Sequence, residues 1–231
     1  MPRYAPLAFD KPAPLWKIFP EKTEGAMPVI TLPFGSFEAN CHIVHNGKDA
    51  VVFDPSDDTD AIMRAIAGCG LELRGAALTH LHVDHCLGCA AFSRRTGLLP
   101  VVGREDWNEK ELLLCKGMCF GMALEEFSAM PVAEGELSWG GLACRALLTP
   151  GHTPGSLTYY FPGLGIAVTG DALFRWSIGR SDMPLGNGAQ LLQSIRTKIY
   201  ALPKDTVLYP GHGETTTVED EMRHNPFCPA Q

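Results

Sequence analysis

The sequence predicts a single α/β domain, and three observations lead to this prediction. A length of 231 residues, with 45% hydrophobic and 19% charged residues, fits one soluble globular domain. Short apolar segments alternate with segments of helical periodicity along the chain. Polar residues that can bind metal ions follow several predicted strands, where a rigid sheet commonly presents catalytic groups.

The first half of the predicted domain alternates strands and helices. Asn46-Gly47 predicts a tight hairpin turn between two strands. Asp58 or Thr59 can cap the first helix, and Gly97 can end the second. The predicted strands lie at 29–32, 43–45, 50–53, 73–78 and 101–102, and the predicted helical segments at 59–67, 84–95 and 105–114.

The second half is richer in strands, which glycine and proline turns separate. The stretch 115–130 has no clear pattern. The spacing of Leu191, Leu192, Ile195 and Ile199 predicts a helix over 189–201. The predicted strands lie at 142–148, 157–161, 166–169 and 206–209, and a short terminal helix at 218–224.

Composition excludes several classes of protein. The formal net charge of −7 gives no electrostatic reason to expect nucleic acid binding. No apolar run approaches the roughly 20 residues that span a bilayer, and residues 1–27 lack the apolar core of a secretory signal. We therefore expect a cytoplasmic protein with a Pro-rich N-terminal arm at 1–27 and one domain at 28–231. The sequence does not specify an oligomeric state.

The eight cysteines do not predict a disulfide framework, because the chain is long, apolar and without an export signal. Cys86 and Cys89 form a C-x-x-C pair that could indicate a redox or metal motif. Two small residues on the buried face of a helix explain the pair better. The Cys- and Met-rich segment 115–122 is typical of soft packing or of a pocket wall.

Seven residues in four motifs predict a site for two divalent metal ions. The motifs are T-H-L-H-V-D-H at 79–85, P-G-H-T-P-G at 150–155, T-G-D at 169–171 and P-G-H-G at 210–213. Imidazole and carboxylate groups are ligands that such ions use, with positions left for water and substrate. The predicted ligands are His80, His82, Asp84, His85, His152, Asp171 and His212.

Local spacing suggests that one loop serves both ions. His80 and His82 are two residues apart, so an extended backbone points both rings to the same side. Asp84 continues that side, and His85 at a helix start can turn toward a second ion. Distant histidines must complete both sites. His42, His45 and His224 lie outside this pattern, and we assign them no role.

The motif series resembles the metallo-β-lactamase superfamily, and most closely its glyoxalase II-like, single-domain branch. The likeness extends over about 29–227 and includes Gly179-Arg180-Ser181-Asp182. It implies a four-layer αββα sandwich of the metallo-β-lactamase type with the metals at one edge. It also implies that His80, His82 and His152 bind one metal, that Asp84, His85 and His212 bind the other, and that Asp171 bridges both. The best-known true β-lactamases have a Cys at the position of Asp171, which argues against β-lactam hydrolysis.

The expected function is hydrolysis of a small-molecule, acylglutathione-like thioester. Two neighbouring cations can share a hydroxide, which Asp84 and Asp171 would orient as catalytic residues. A thiolate leaving group needs no general acid, and no Ser-His or Cys-His nucleophile pair is evident. Zinc is the preferred metal, with iron or manganese as the alternatives.

Two other functions stay open at this stage. One is a persulfide dioxygenase with a single iron, although the intact P-G-H-G motif favours the hydrolase. The other is a flavin-linked diiron electron-transfer module, although no Gly-rich dinucleotide loop is present. Arg175, Arg180 and Lys116 are candidates to neutralise an anionic substrate, and solvated surface charges explain them equally well.

Overall fold

The computed structural model describes residues 28–119 and 124–229. The predicted arm at 1–27 lies outside the described residues, and so do the side chains of the segment 115–122. The division of the chain at residue 28 therefore stays a prediction. None of the helices in the described residues is long and apolar enough to cross a bilayer.

Two six-stranded sheets form the centre of the fold. The first sheet has the order β1-β2-β3-β4-β5-β6, and its last three pairings are parallel. Its strands are β1 (Val29–Phe34), β2 (Ala39–His45), β3 (Asp49–Phe53), β4 (Glu72–Ala77), β5 (Val101–Gly103) and β6 (Met130–Val132).

The second sheet has the order β14-β13-β10-β9-β8-β7, in which only β10 and β13 pair in parallel. A separate two-stranded hairpin is formed by β11 (Leu173–Phe174) and β12 (Ser177–Ile178). The strands of the second sheet are β7 (Gly135–Trp139), β8 (Leu142–Leu148), β9 (Leu157–Phe161), β10 (Ile166–Gly170), β13 (Val207–Pro210) and β14 (Thr216–Thr217).

Helices cover the outer faces of both sheets. Ile62 and Phe92 pack on the outer side of the first sheet, and Leu191 and Val218 on the outer side of the second. The helices are α1 (Thr59–Gly68), α2 (Val83–Cys86), α3 (Cys89–Thr96), α4 (Arg104–Asn108), α5 (Lys110–Cys119), α6 (Gly188–Ser194) and α7 (Val218–His224).

Alternation along the central strands explains the layers. In β3, Val51 and Phe53 enter the core between the sheets, whereas Ala50 and Val52 face the helices. Phe53 contacts Tyr159 of the opposite sheet at 4.9 Å between ring centroids. A strand that is buried on both faces is apolar along its whole length. The predicted αββα sandwich is confirmed.

The structure corrects several predicted elements. The helix predicted over 84–95 is two helices, α2 and α3. Between them, Gly88 packs against the backbone carbonyls of Pro55 and Asp57, where a Cβ would overlap. The segment 105–114 is likewise divided, between α4 and α5, and the helix over 189–201 ends in a π-helical turn, Ile195–Ile199. The strand predicted at 43–45 begins four residues earlier, at Ala39, and β6 and β7 lie where no strand was predicted.

Candidate metal centre

The structure brings all seven predicted residues together at one edge of the two sheets. His80, His82, Asp84 and His85 lie in the loop after β4 and in α2. His152 lies in the turn between β8 and β9. Asp171 and His212 follow β10 and β13, which are parallel neighbours, so both side chains emerge at the same sheet edge. Each group therefore comes from the end of a strand in the core.

The ligand atoms of these residues form three overlapping groups. In each group the nitrogen and oxygen atoms that can bind a metal lie within 4.8 Å of one another. The groups are His80, His82 and His152; His80, His85 and Asp171; and Asp84, His85 and His212.

Asp171 lies between the other residues of the cluster. Its Oδ1 is 3.4 Å from Nε2 of His85, and its Oδ2 is 3.5 Å from Nε2 of His152 and 3.6 Å from Nε2 of His212. Oδ2 of Asp84 is 3.4 Å from the same nitrogen of His212. One carboxylate thus faces residues of both outer groups, as expected of a bridging ligand.

Two buried atoms show that the cluster fits metal ions. Nε2 of His152 and Oδ1 of Asp171 are buried and have no hydrogen-bond partner among the described residues. A buried polar atom without a partner costs free energy unless something else satisfies it. Imidazole and carboxylate groups together suit zinc, iron or manganese, so a divalent cation is the species that fits this cluster.

Burial and neighbouring charges shift the pKa values of His80 and His85 in opposite directions. Burial lowers the pKa of His80 well below its usual value, and the imidazoles of His85 and His82 lower it further. Burial alone would also lower the pKa of His85, but the carboxylates of Asp171 and Asp54 raise it to about 10. The clustered carboxylates therefore stabilise positive charge among them.

Four of the five imidazoles have their Nδ1 held by an oxygen atom of the protein. Nδ1 of His152 donates to the Arg180 carbonyl at 2.7 Å, and Nδ1 of His212 donates to the Phe37 carbonyl at 2.9 Å. Nδ1 of His80 lies 3.0 Å from Oγ1 of Thr79. Such bonds fix the orientation and tautomer of a ring, so that Nε2 presents its lone pair to a metal.

Asp54 supports the fourth ring and the loop that precedes it. Its carboxylate accepts hydrogen bonds from the backbone N–H and the hydroxyl of Thr79, both at 2.7 Å, and from Nδ1 of His85 at 3.0 Å. Asp54 follows β3 with a φ of 50°, a backbone conformation that is rare for residues other than glycine. Asp54 directly follows the strand predicted at 50–53, and no sequence motif pointed to its supporting role.

Asp106 joins the two loops that present the first group of ligands. It accepts hydrogen bonds from the backbone N–H of Leu81 at 2.9 Å, from Oγ1 of Thr153 at 2.9 Å and from the backbone N–H of Gly155 at 2.5 Å. Burial raises the pKa of Asp106 to about 6, and these hydrogen bonds act in the opposite direction. The role of Asp106 was not predicted because the residue lies in a segment whose sequence is typical of a charged surface helix.

Strand β2 holds the loop that carries His212. The Asn40 amide donates to the carbonyls of Pro210 and Gly213, both at 3.0 Å. Nε2 of His42 bonds the Pro210 carbonyl at 2.9 Å, and burial lowers the pKa of His42 to about 4, so the ring is neutral. His42, to which no role was assigned, therefore positions a predicted ligand.

Gly211 allows the closest approach within the cluster. A Cβ built on this residue would overlap Oδ1 of Asp171 and crowd the His85 ring. Any larger residue would therefore displace the central carboxylate. Only glycine, which has no Cβ, fits at position 211 directly before His212.

A cavity of about 560 Å³ opens in front of the cluster. Arg180 lines this cavity, whereas Arg175 lies outside it, forms an ion pair with Glu214 and stacks on Trp176. The side chain of Lys116 lies outside the described residues. The cluster residues that line the cavity are His82, Asp84, His152, Asp171 and His212.

None of the cysteines whose side chains the structure describes belongs to the cluster. Cys86 and Cys89 are fully buried free thiols in the core beneath it, and burial raises the pKa of both well above the usual value. A buried thiol with a raised pKa is unreactive. The structure agrees with the structural interpretation of the C-x-x-C pair.

Comparison with known proteins identifies the family. The model of the metallo-beta-lactamase superfamily matches residues 35–212, and the chain belongs to this superfamily. The hydroxyacylglutathione hydrolase GloC of Haemophilus influenzae is 33% identical over 215 residues, which cover 87% of this chain and 98% of that protein.

Two solved structures share the fold over most of the chain. BLEG-1, a B3 metallo-beta-lactamase, is 32% identical with a TM-score of 0.78, over 87% of this chain and 99% of that one. TTHA1623 in a di-iron-bound form is 29% identical with a TM-score of 0.77, over 86% of this chain and 100% of that one. The chain is thus a metallo-hydrolase of this superfamily.

We expect Asp106→Asn to lower the free energy of unfolding by about 2 kcal/mol, because an amide cannot accept hydrogen bonds from donors on all sides. Urea unfolding followed by circular dichroism measures this change. Asp205→Asn, at an exposed position, is the matched control and should change stability by less than about 0.5 kcal/mol. Equal stability of the two variants would contradict the role of Asp106 as a link between the loops.

Proposed function

We propose that the protein is a metal-dependent thioesterase that hydrolyses an acylglutathione-like thioester. The observation that supports this proposal most strongly is the pair of outer ligand groups, with Asp171 between them, at the base of one open cavity. The similarity to GloC, a hydroxyacylglutathione hydrolase, supports the substrate class.

We propose the seven clustered residues as ligands of two divalent metal ions. His80, His82 and His152 would hold one ion, and Asp84, His85 and His212 the other, with Asp171 shared. Zinc is the first candidate, and the di-iron form of TTHA1623 supports iron as an alternative. Bound cations of this kind supply Lewis acidity, which polarises a carbonyl group and makes water more acidic.

Asp84 is the residue best placed to orient the attacking water. Burial would raise the pKa of its carboxyl group, yet a hydrogen bond from His212 and the charge of His85 hold that pKa well below the usual value. The carboxylate lines the cavity and is partly exposed, so it can accept a hydrogen bond from water there. It thereby holds the water oxygen toward the acyl carbon of a thioester in the cavity.

The proposed reaction requires few catalytic groups from the protein. Water gives its OH to the acyl carbon, the C–S bond breaks, and the sulfur leaves with the remaining proton as a thiol. Because a thiolate is a stable leaving group, no general acid is needed at the sulfur. A cluster of ligands with no separate nucleophile is therefore sufficient for this reaction.

β-Lactam hydrolysis is the second candidate, because BLEG-1 is a B3 metallo-beta-lactamase of similar length. The presence of Asp171 in place of a cysteine was the argument against this activity. The similarity to BLEG-1 weakens that argument, so a β-lactam belongs in the same assay as the thioesters.

The persulfide dioxygenase and the flavin-linked module remain alternatives with distinct signatures. A second complete ligand group, Asp84, His85 and His212, favours two metals over a single iron. One iron per chain with oxygen uptake on glutathione persulfide would establish the dioxygenase instead. A flavin absorption spectrum would establish the electron-transfer module.

We expect Asp84→Asn to lower kcat for S-acylglutathione hydrolysis by about 100-fold or more, because the water loses its orienting acceptor. Release of free thiol measures the rate, and elemental analysis of the same sample measures the metal content. Asp60→Asn, at an exposed position on α1, is the control and should retain full activity. Robust β-lactam or phosphodiester cleavage without thioester turnover in the unaltered protein would refute the proposed substrate class.

We expect Gly211→Ala to reduce the bound metal from about two ions per chain to one or fewer, because the new methyl group displaces Asp171. Inductively coupled plasma spectrometry measures the ions. Gly163→Ala is the control, since open space surrounds a Cβ at that position. Full metal content in both variants would rule out Asp171 as a shared ligand.

We expect a chelator to lower the melting temperature by about 5–10 °C, because ions that bind only the folded state stabilise it. Differential scanning calorimetry before and after dialysis measures the shift. Adding back zinc or iron should restore the original value, whereas calcium, which prefers oxygen ligands, should not. A melting temperature that is indifferent to chelation would contradict a bound metal pair.

A further inference from the structure

The cavity in front of the cluster has an apolar wall. Apart from the cluster residues, six of the described residues that line it carry hydrocarbon, aromatic or thioether side chains, and Ser177 and Arg180 are the others. We call these six the apolar wall: Phe37, Val83, Leu113, Phe174, Ile178 and Met183.

The apolar wall is fixed relative to the cluster. The carbonyl of Phe37 accepts the hydrogen bond from His212, which ties the β1–β2 turn to a ligand. Ile178 belongs to the β11–β12 hairpin, and the Asn225 amide holds that hairpin through the carbonyl of Ser177 at 3.1 Å. The fold therefore holds the parts of the wall at Phe37 and Ile178 in place, as is usual in ligand sites.

The wall offers little to a polar or charged group. Arg180 is exposed and donates to both oxygens of Asp182, at 2.8 and 2.9 Å, so its charge is already neutralised. A hydroxyl or charged group placed against hydrocarbon without a partner loses its hydrogen bonds to water. The charged part of a glutathione-like thiol therefore has reason to extend toward solvent, past the exposed Phe37 and Arg180.

From these observations we propose that the substrate's acyl group is a hydrocarbon chain or ring that lies on the apolar wall. The proposal rests on the proposed thioesterase activity and names the substrate class within it. The products are a fatty or aromatic carboxylic acid and the free thiol: water gives OH to the acyl carbon, the C–S bond breaks, and sulfur takes the remaining proton.

The experiment compares S-acylglutathiones that differ only in the acyl group. For acetyl, butanoyl, hexanoyl and octanoyl groups, we expect kcat/KM to rise about two- to fourfold per methylene until the wall is covered. A second comparison pairs butanoyl with 2-hydroxybutanoyl, and we expect the butanoyl compound to react faster.

A matched pair of variants tests the wall itself. Met183→Gln keeps the side-chain volume but introduces an amide, and we expect kcat/KM for octanoylglutathione to fall about tenfold and that for acetylglutathione less than twofold. Leu185→Gln, in the same loop but not lining the cavity, is the control and should follow the unaltered protein. Melting temperatures confirm that both variants are folded.

The outcomes separate the two proposals. Faster turnover of the 2-hydroxybutanoyl compound, or a flat dependence on chain length, would overturn the apolar acyl group and leave the thioesterase intact. Equal loss on every acyl group in Met183→Gln would overturn the role of the wall. Failure to hydrolyse any thioester in a protein with its full metal content would overturn the thioesterase itself.

Discussion

The structure depends on burying a cluster of imidazoles and carboxylates whose ligand atoms face one another. His80 and His85 are almost inaccessible to water, and Nε2 of His152 and Oδ1 of Asp171 lack hydrogen-bond partners among the described residues. Such an arrangement is costly for an isolated chain and becomes favourable when a cation lies between the groups. The fold therefore holds these side chains together despite this cost, in the arrangement that the proposed metal ions would stabilise.

Holding the cluster requires partners from distant parts of the chain. Asp54 follows β3 and supports His85, the turn before β2 supports His212, and Asp106 in α4 joins the loops around Leu81 and Thr153. None of these partners is close in sequence to the group that it orients. The site is consequently complete only when both sheets have packed, so its geometry and the stability of the fold are coupled.

Much of the fold was predictable, because strands that are buried on both faces leave uninterrupted apolar runs such as 50–53 and 157–161. The residues of the cluster were predictable because they lie in short motifs with glycine and proline. The supporting residues were not: Asp106 is buried, yet it lies in a charged helical segment that resembles solvent-exposed sequence. Strands β6 and β7 were missed because exposed residues interrupt their apolar pattern.

The motifs of the cluster indicate the family of the protein, whereas the cavity wall bears on its substrate. The four motifs lie within the region that matches the superfamily model, but GloC and BLEG-1 are 33% and 32% identical to this chain and carry different activities in their names. Overall identity therefore does not select a substrate. The residues of the wall, such as Phe37, Ile178 and Met183, lie in turns and a short hairpin without any motif. Because these segments line the cavity and belong to no motif of the superfamily, the chemistry of the wall is the better guide to what the cavity accepts.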